Sequence, residues 1–242
     1  MALELLDLFC GEGGAARGYI RVGFNVTGVD AKRSVGKYYP GTFHHGDWRE
    51  VTDRLRAEGY KPDLVHASPP CQLYSITNAS RRADYPDLVG PVRDYLTEWG
   101  VPFVLENVER APLRKDAVAC GATFGLFAED TDRTRLHLKR HRIFEAHGFT
   151  LPKVPCNCKA AKVGGYIVGG VYGGGRTDLT EARTIRHGGY TPKSKDVRKW
   201  LMGIGVDDNM TLKGLSEAIP PAYAEWVGMW FLDERDFGDE SQ

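Results

Sequence analysis

Cys71 is the side chain in this sequence that is best placed to act as a nucleophile. It follows Ser68, Pro69 and Pro70 and precedes Gln72, so the thiol stands directly behind two prolines. Proline rings restrict the backbone and give the following side chain a fixed direction. A cysteine that only fills space in the core is the common alternative, but the turn residues around Cys71 disfavour it. We therefore predict an exposed, oriented thiol that attacks an electrophilic carbon.

Glu106, Arg140 and Arg142 are the other side chains that could assist such chemistry. Glu106 begins a Glu-Asn-Val sequence and could act as a general acid, although a glutamate there can also cap a helix. The two arginines lie in a basic stretch from residue 133 to 142. Such arginines often form surface ion pairs, but beside a cleft they can bind a substrate or contact nucleic-acid phosphates.

Residues 7–14, which read Asp-Leu-Phe-Cys-Gly-Glu-Gly-Gly, form a glycine-rich turn suited to a ligand. Glycines let a ligand approach the backbone, and the N-terminus of the helix that follows favours negative charge. Taken alone, the turn also fits a dinucleotide-dependent dehydrogenase or a purely structural role. Asp30 suits ribose hydroxyls, and Asp47 suits an adenine amino group with Trp48 to stack on the ring. The alternative for each aspartate is a helix cap.

These residues need elements that bring them together, and the first half of the chain alternates short apolar runs with helical stretches. This alternation predicts an α/β fold with a doubly wound, mostly parallel sheet. Ligands bind beyond the carboxyl ends of the strands in such sheets, and the candidate residues lie at or just past predicted strand ends. The predicted strands are 3–8, 25–29, 42–46, 63–67 and 102–105, and the predicted helices are 49–58 and 87–99.

The second half is less regular. Residues 133–147 are predicted to be β-structure, whereas residues 148–196 are rich in Gly, Pro, Lys and Arg with little periodicity. Helix is predicted again from about residue 196, and a final helix over 220–232.

Composition excludes some classes of function. The chain has 242 residues, 42% hydrophobic and 26% charged, with a formal net charge of zero. No global field attracts it to nucleic acid or an anionic membrane, so any nucleic-acid surface is a local patch. No apolar run reaches the roughly 20 residues of a membrane span. Five cysteines without a regular framework and no signal-peptide pattern predict a cytoplasmic protein of a bacterial or phage-infected cell. We expect a monomer.

The chain resembles the cytosine-C5 DNA methyltransferases. The resemblance covers residues 1 to about 147 well and 198–231 loosely, in the family's unpermuted order. It implies a Rossmann-like, S-adenosylmethionine-dependent methyltransferase fold with a small irregular target-recognition insert. The matching residues are 7–14 with Gly18, Gly23 and Phe24, then Pro69, Pro70, Cys71, Gln72 and Ser75, then Glu106, Asn107 and Val108, then Arg140, His141 and Arg142.

The resemblance implies methyl transfer from S-adenosylmethionine to C5 of cytosine in double-stranded DNA. Cys71 would add to C6 of a flipped-out base, Glu106 would hold N3 and the exocyclic amine, and Arg142, supported by Arg140, would face O2. The residues implied for cofactor binding are Phe9, Gly11, Gly13, Asp30, Asp47, Trp48 and Leu88, and those implied for substrate positioning are Pro70, Gln72, Ser75 and Asn107.

The chain departs from the family in several places. Asp30 replaces a glutamate, Leu138 stands where a glutamine leads the basic motif, and Ser216 and Glu217 replace Gly-Asn, which puts that contact to the cofactor in doubt. We expect a catalytic domain over 1–147, a reduced target-recognition region over 148–197, and a C-terminal segment over 198–242 that packs back on the catalytic domain. So small an enzyme suggests a phage or mobile-element origin.

No metal is predicted. Cys156 and Cys158 form a Cys-x-Cys pair, which is not a usual zinc spacing, and no second pair lies near it; His187 could complete a site but is more simply a surface residue. Tyr166, Tyr172 and Tyr190 could line a nucleic-acid cleft or belong to a hairpin.

Three other functions remain open. An enzyme that methylates cytosine in transfer RNA would use the same motifs. A non-catalytic nucleic-acid-binding relative would have lost the methyl-transfer activity. An amino-methyltransferase acting on adenine N6 or cytosine N4 would carry an aromatic residue where Cys71 stands.

Overall fold

The computed structural model describes residues 2–75, 85–171, 190–192 and 194–239, with side chains to residue 235. Its strands are β1 (Glu4–Leu8), β2 (Asn25–Asp30), β3 (Thr42–His45), β4 (Leu64–Ala67), β5 (Phe103–Asn107), β6 (Ala117–Ala119), β7 (Phe127–Glu129), β8 (Arg135–Leu138), β9 (Arg142–His147) and β10 (Ile167–Gly169). Its α-helices are α1 (Gly14–Arg21), α2 (Trp48–Ala57), α3 (Val89–Trp99), α4 (Cys158–Val163), α5 (Lys195–Leu201), α6 (Leu212–Glu217) and α7 (Pro221–Asp239), and Arg33–Lys37 forms a 3₁₀ turn.

Seven strands form the main sheet in the order β3-β2-β1-β4-β5-β9-β6. The first five pair in parallel, and β9 runs antiparallel between β5 and β6. The predicted α/β fold with a mostly parallel sheet is confirmed. One prediction was wrong in detail: Glu106 and Asn107 lie inside β5, opposite Phe144 and Ile143, because pairing with β9 extends the strand.

A second, three-stranded sheet has the order β10-β8-β7. The stretch 133–147, predicted as continuous β-structure, is divided between β8 in this small sheet and β9 in the main sheet. Residues 139–141 connect the two sheets, so Arg140 lies at the crossover and Arg142 begins β9. β10 pairs in parallel with β8, which is not the pairing of a simple hairpin.

Helices cover both faces of the main sheet. Side chains of a strand alternate between faces, so Leu5 packs with Tyr19 of α1 and Tyr223 of α7. Leu6 belongs to the other face, which packs against α2 and α3. A parallel sheet buried on both faces is what a doubly wound topology requires. No helix in the described ranges is both long and apolar enough to cross a membrane.

The C-terminal segment packs back on the main sheet through α7, which lies against α1. The two backbones approach closely at Gly18, where an added Cβ would lie 2.1 Å from the Pro221 carbonyl oxygen. Leu5, Phe149 and Leu201 also belong to one hydrophobic cluster. The three expected regions, 1–147, 148–197 and 198–242, therefore share one hydrophobic core. Their boundaries remain a proposal about function.

We expect Gly18→Ala to lower the free energy of unfolding by about 2 kcal/mol, because the methyl group meets backbone atoms of α7 that cannot rotate away. Urea denaturation measures the change. Gly90→Ala in α3 is the matched control, since nothing lies within 4 Å of its added Cβ; alanine there should raise stability by about 0.5 kcal/mol. Equal urea midpoints for the two variants would contradict close α1–α7 packing.

Candidate active site

Cys71 lies in the loop that follows β4, and buried neighbours hold that loop in place. The Asn107 side-chain amide donates to the Pro69 carbonyl oxygen at 2.9 Å, and Asn107 itself is buried. The backbone amides of Tyr74 and Ser75 both donate to the Cys71 carbonyl oxygen. Cys71 is half-buried and lies outside the hydrophobic clusters of the described residues. Hydrogen bonds therefore hold the backbone around Cys71 in place, and the residue remains partly exposed to solvent.

Glu106 is buried beside this loop, with 4% of its surface exposed. Nε of Arg142 lies 2.9 Å from its Oε1. The contact is an ion pair without hydrogen-bond alignment, and within the described part of the chain no hydrogen bond reaches Oε1. Burial raises the pKa of Glu106, opposed by the charge of Arg142 and a hydrogen bond from Ser68. A buried carboxyl oxygen with spare accepting capacity can bind a polar group of a ligand.

The charges around Cys71 act on its thiol in opposite directions. Burial raises the pKa of Cys71, Arg142 and Arg140 lower it, and Glu106 raises it. The net shift is upward, so the thiol is protonated at neutral pH in the free protein. Loss of the negative charge of Glu106 would therefore favour formation of the thiolate, which is the reactive form.

A buried polar chain that the sequence did not reveal leads to Glu106. The Tyr19 hydroxyl lies 3.0 Å from Nδ1 of His66, and Nε2 of His66 lies 2.9 Å from the Ser68 hydroxyl. Ser68 in turn bonds to Glu106. Burial lowers the pKa of His66 to about 3, so its ring is neutral and links a hydroxyl on each side. Tyr19 and His66 were missed because neither belongs to a recognisable motif.

Arg140 and Arg142 both turn inward, unlike the exposed Arg133, Arg135 and Lys139 of the same basic stretch. Nη2 of Arg140 donates to the Ser216 carbonyl oxygen at 2.6 Å. The basic stretch is thus two sets of side chains, one buried beside Cys71 and one in solvent.

The glycine-rich turn after β1 has an unusual backbone. Phe9, Gly11 and Gly13 all have positive φ, at 61°, 52° and 84°. Phe9 is a non-glycine residue in this region, which is uncommon and concentrated at ligand sites. The Gly11 amide donates to Oδ2 of Asp30 at 2.9 Å, and a Cβ on Gly11 would meet nothing within 4 Å. Open space beside a glycine next to a carboxylate fits the ribose of a nucleoside cofactor.

The other predicted cofactor residues have structural contacts of their own. Asp47 caps α2, where its Oδ1 accepts from the amides of Arg49 and Glu50. Trp48 is buried against Tyr95, with ring centroids 5.4 Å apart, and 6.0 Å from the half-buried Phe9 ring. Leu88 is half-buried just before α3. Their contacts to a cofactor remain predictions.

The C-terminal segment reaches the glycine-rich turn by contacts that the motifs did not indicate. The Glu12 carboxylate accepts from the Thr211 amide at 2.7 Å and from its hydroxyl at 2.6 Å. Arg17 pairs with Asp208 at 2.6 Å. The departure at Ser216 and Glu217 therefore does not detach this segment. Glu12 and Arg17 fix α6 beside the turn, and Ser216 receives Arg140.

The remaining candidate residues are distributed as follows. Pro70 is half-buried and Gln72 is exposed, next to Cys71. Tyr190 is buried and its hydroxyl donates to Asp130, so it does not line an open cleft. His187 and Tyr172 lie outside the described residues.

The fold matches solved methyltransferase structures over nearly their whole length. A protein described as a candidate DNA modification methyltransferase from an Escherichia coli prophage is 14% identical, with a TM-score of 0.56 over 96% of this chain and 99% of that one. A methyltransferase of Entamoeba histolytica is 12% identical, with a TM-score of 0.54 over 97% and 99%. At such identities the likeness shows the fold alone.

Sequence comparison defines the family within that fold. The family described as C-5 cytosine-specific DNA methylase matches residues 3–116. The type II methyltransferase M.HgiGI of Herpetosiphon aurantiacus is 31% identical over 127 residues, which are 47% of this chain and 96% of that protein. M.HgiDI of the same organism is 28% identical, and this chain covers 39% of it. The chain belongs to the C-5 cytosine-specific DNA methylase family.

We expect Glu106→Gln to lower the pKa of the Cys71 thiol, because a nearby negative charge that raises it is removed. The pH dependence of Cys71 alkylation by iodoacetamide, followed by peptide mass spectrometry, should move to lower pH because the thiolate is the species that reacts. Adding Arg142→Gln to this variant should move the curve back to higher pH.

Lys139→Gln is the control, since it removes an exposed positive charge from the same stretch and should leave the curve unchanged. If Glu106→Gln left the curve in place, the carboxylate would not act on the thiol.

Proposed function

We propose that this chain methylates C5 of cytosine in DNA through a covalent bond between Cys71 and C6 of a flipped-out base. The observation that carries the proposal is a buried Glu106 oxygen, without a hydrogen-bond donor among the described residues, in a pocket whose charges act on the half-buried Cys71 thiol. Such a pocket offers a nucleophile and a carboxyl group to the same small, planar, polar ring.

Base flipping follows from the depth of these groups. Glu106 is almost fully buried, so no group of a stacked base pair could reach it. An enzyme that acts on such a base extrudes it from the duplex into the pocket. The exposed Arg133, Arg135 and Lys139 are available nearby for the phosphates that flank the base.

In the first step Cys71 loses its proton to water, and the sulfur electron pair of the thiolate forms the bond to C6. The electrons of the C5–C6 double bond shift into the ring toward C5 and N3. A proton on Glu106 hydrogen-bonded to N3 stabilises this charge, and burial favours the protonated carboxyl because it raises the pKa of Glu106. Arg142, beside Glu106, faces O2 of the base, and Arg140 supports it.

The addition makes C5 nucleophilic, and S-adenosylmethionine, when bound, supplies the methyl group that C5 accepts. A water molecule then takes the C5 proton, the C5–C6 double bond re-forms, and the S–C6 bond breaks to release the Cys71 thiolate. Asn107 and Pro70 keep the thiol in place through the cycle, because the Asn107 amide holds the loop at Pro69. Ser75 and Gln72 follow the thiol in the chain and are proposed to contact the target nucleotide.

The residues of the glycine-rich turn fit the cofactor. Asp30 accepts one backbone amide on each carboxylate oxygen, from Gly11 and Lys32, and each oxygen retains a lone pair for a ribose hydroxyl. Gly11 leaves open space beside it. Phe9, Gly13, Asp47, Trp48 and Leu88 complete the proposed cofactor set.

DNA is favoured over transfer RNA as the substrate because the family and the matched relatives are DNA methylases or type II methyltransferases. Cys71 and Glu106 would serve on either polymer. The short region 148–197 is proposed to contact the target, and the type II relatives make a restriction-modification role the working hypothesis.

We expect the purified chain to transfer tritiated methyl groups from S-adenosylmethionine to duplex DNA, and Cys71→Ala to reduce that transfer by at least about a hundredfold. Single-stranded DNA and transfer RNA are assayed in parallel. Calorimetry should show that the variant still binds S-adenosylmethionine, because Cys71 lies outside the glycine-rich turn. Transfer to RNA alone would replace the DNA assignment, and full activity of the variant would refute the mechanism.

Duplex DNA that carries 5-fluorocytosine at every cytosine should trap the protein covalently in the presence of S-adenosylmethionine. The fluorine at C5 cannot leave as a proton does, so the S–C6 bond cannot break in the last step. A band of reduced mobility on a denaturing gel, absent for Cys71→Ala, is the expected result. Methylation without any trapped adduct would exclude the covalent route.

A further inference from the structure

Four metal-ligating side chains outside the proposed active site converge at one place in the fold. Cys120 follows β6, His141 precedes β9, and Cys156 and Cys158 lie at the start of α4. One ligand atom from each lies within 4.8 Å of those from the other three. No other such group of His, Cys, Asp and Glu occurs in the residues that the structure describes. Methyl transfer gives these four residues no role.

Four separations between the ligand atoms are close to those of a tetrahedral zinc site. Zinc bonds of about 2.3 Å to sulfur and 2.0 Å to nitrogen place tetrahedral ligands about 3.8 Å apart for two sulfurs and about 3.5 Å apart for sulfur and nitrogen. Sγ of Cys120 lies 3.2 Å from Sγ of Cys158 and 3.6 Å from Sγ of Cys156. Nε2 of His141 lies 3.4 Å from Cys156 Sγ and 3.5 Å from Cys158 Sγ.

The histidine is oriented as a metal ligand. Its Nε2 faces the sulfurs, while its Nδ1 lies 3.4 Å from a carboxylate oxygen of Glu109. A ligating histidine characteristically donates its second ring nitrogen to a carboxylate, which fixes the tautomer and the ring orientation. Glu109 supplies that carboxylate without being a ligand itself.

The segment that carries Cys156 and Cys158 is held against the Cys120 turn by Thr123. The Thr123 hydroxyl donates to the Pro155 carbonyl oxygen at 2.6 Å and accepts from the Asn157 amide at 3.2 Å. The Thr123 amide donates to the Cys120 carbonyl oxygen at 2.9 Å. The backbone therefore presents the thiols toward one point.

A disulfide explains this arrangement less well than a metal. All three thiols are free, and their closest sulfurs are 3.2 Å apart, well beyond the bond length of about 2.05 Å. A disulfide would use two sulfurs and leave a third thiol and His141 without a function. A zinc ion uses all four groups, and Cys3His is an established structural ligand set.

We propose that Cys120, His141, Cys156 and Cys158 bind one structural zinc ion. Four protein ligands complete a tetrahedral shell and leave no position for a substrate, so the ion is structural rather than catalytic. It joins the end of β6 to the segment that begins α4. Because His141 lies between Arg140 and Arg142, the ion also fixes residues 140–142, which include both arginines; this second consequence rests on the proposed function.

Metal analysis of the full-length protein, purified with a phosphine reductant and without added metal, tests the site. Mass spectrometry of the elements should find about one zinc ion per chain. Cys156→Ser and Cys158→Ser should each lower that content to about a tenth or less. Cys71→Ser is the matched control: it is expected to keep its zinc while losing methyl transfer, so the zinc site and the proposed function are tested separately.

Cobalt provides a second measurement that does not depend on activity or on the folding of a variant. The wild-type protein, stripped of metal under reducing conditions, should bind one Co²⁺ and show the visible bands of tetrahedral cobalt together with thiolate charge-transfer bands. Added zinc should abolish these bands and raise the melting temperature. Trace zinc in the purified protein together with no cobalt uptake would overturn the proposal. So would a mass two protons lower, traced to a disulfide within the cluster of a metal-free chain.

Discussion

The buried pairing of Glu106 with Arg142 is the contact on which the rest of the site depends. An isolated buried carboxylate is costly, and removing one partner of such a pair leaves an uncompensated charge. The pair forms only because β9 enters the main sheet beside β5, with Phe144 opposite Glu106. Arg142 then stands two residues away on the same strand and reaches Oε1 at 2.9 Å. The sheet order therefore sets the electrostatics that act on Cys71.

Tertiary contacts of the C-terminal segment join the two halves of this site. Glu12 of the glycine-rich turn binds Thr211, and Arg140 beside Cys71 binds the Ser216 carbonyl oxygen. The short stretch from Thr211 to Ser216 thus touches both the proposed cofactor turn and the proposed base pocket. The Gly-Asn pair expected from the family is absent here. Contacts of the Glu12 carboxylate and the Arg140 guanidinium nevertheless hold this stretch beside the site.

The Cys3His cluster suggests how so small a region as 148–197 is held in place. A short segment buries little apolar surface of its own and gains stability from a crosslink or a metal. The hydrophobic cluster around Cys120 contains only Ala122 and Ala161 as further buried residues among those described, so the apolar core there is small. Ligands drawn from both sides of residue 148 tie the segment to residues 140–142, which include both arginines.

The sequence by itself determined what depends on short stretches of chain. The alternation of strands and helices over the first 107 residues, the proline pair before Cys71 and the glycine-rich turn are local patterns, and the predicted strand bounds lie within two residues of those observed. Tertiary structure decided the rest. It pairs β9 with β5, divides residues 133–147 between two sheets, and connects Tyr19 and His66 to Glu106. It also brings Cys120 and His141 close to the Cys-x-Cys pair. Those contacts join residues 15 to 47 positions apart in the chain. Packing of complementary surfaces brings these residues together, and no periodicity or spacing in the sequence indicates that packing.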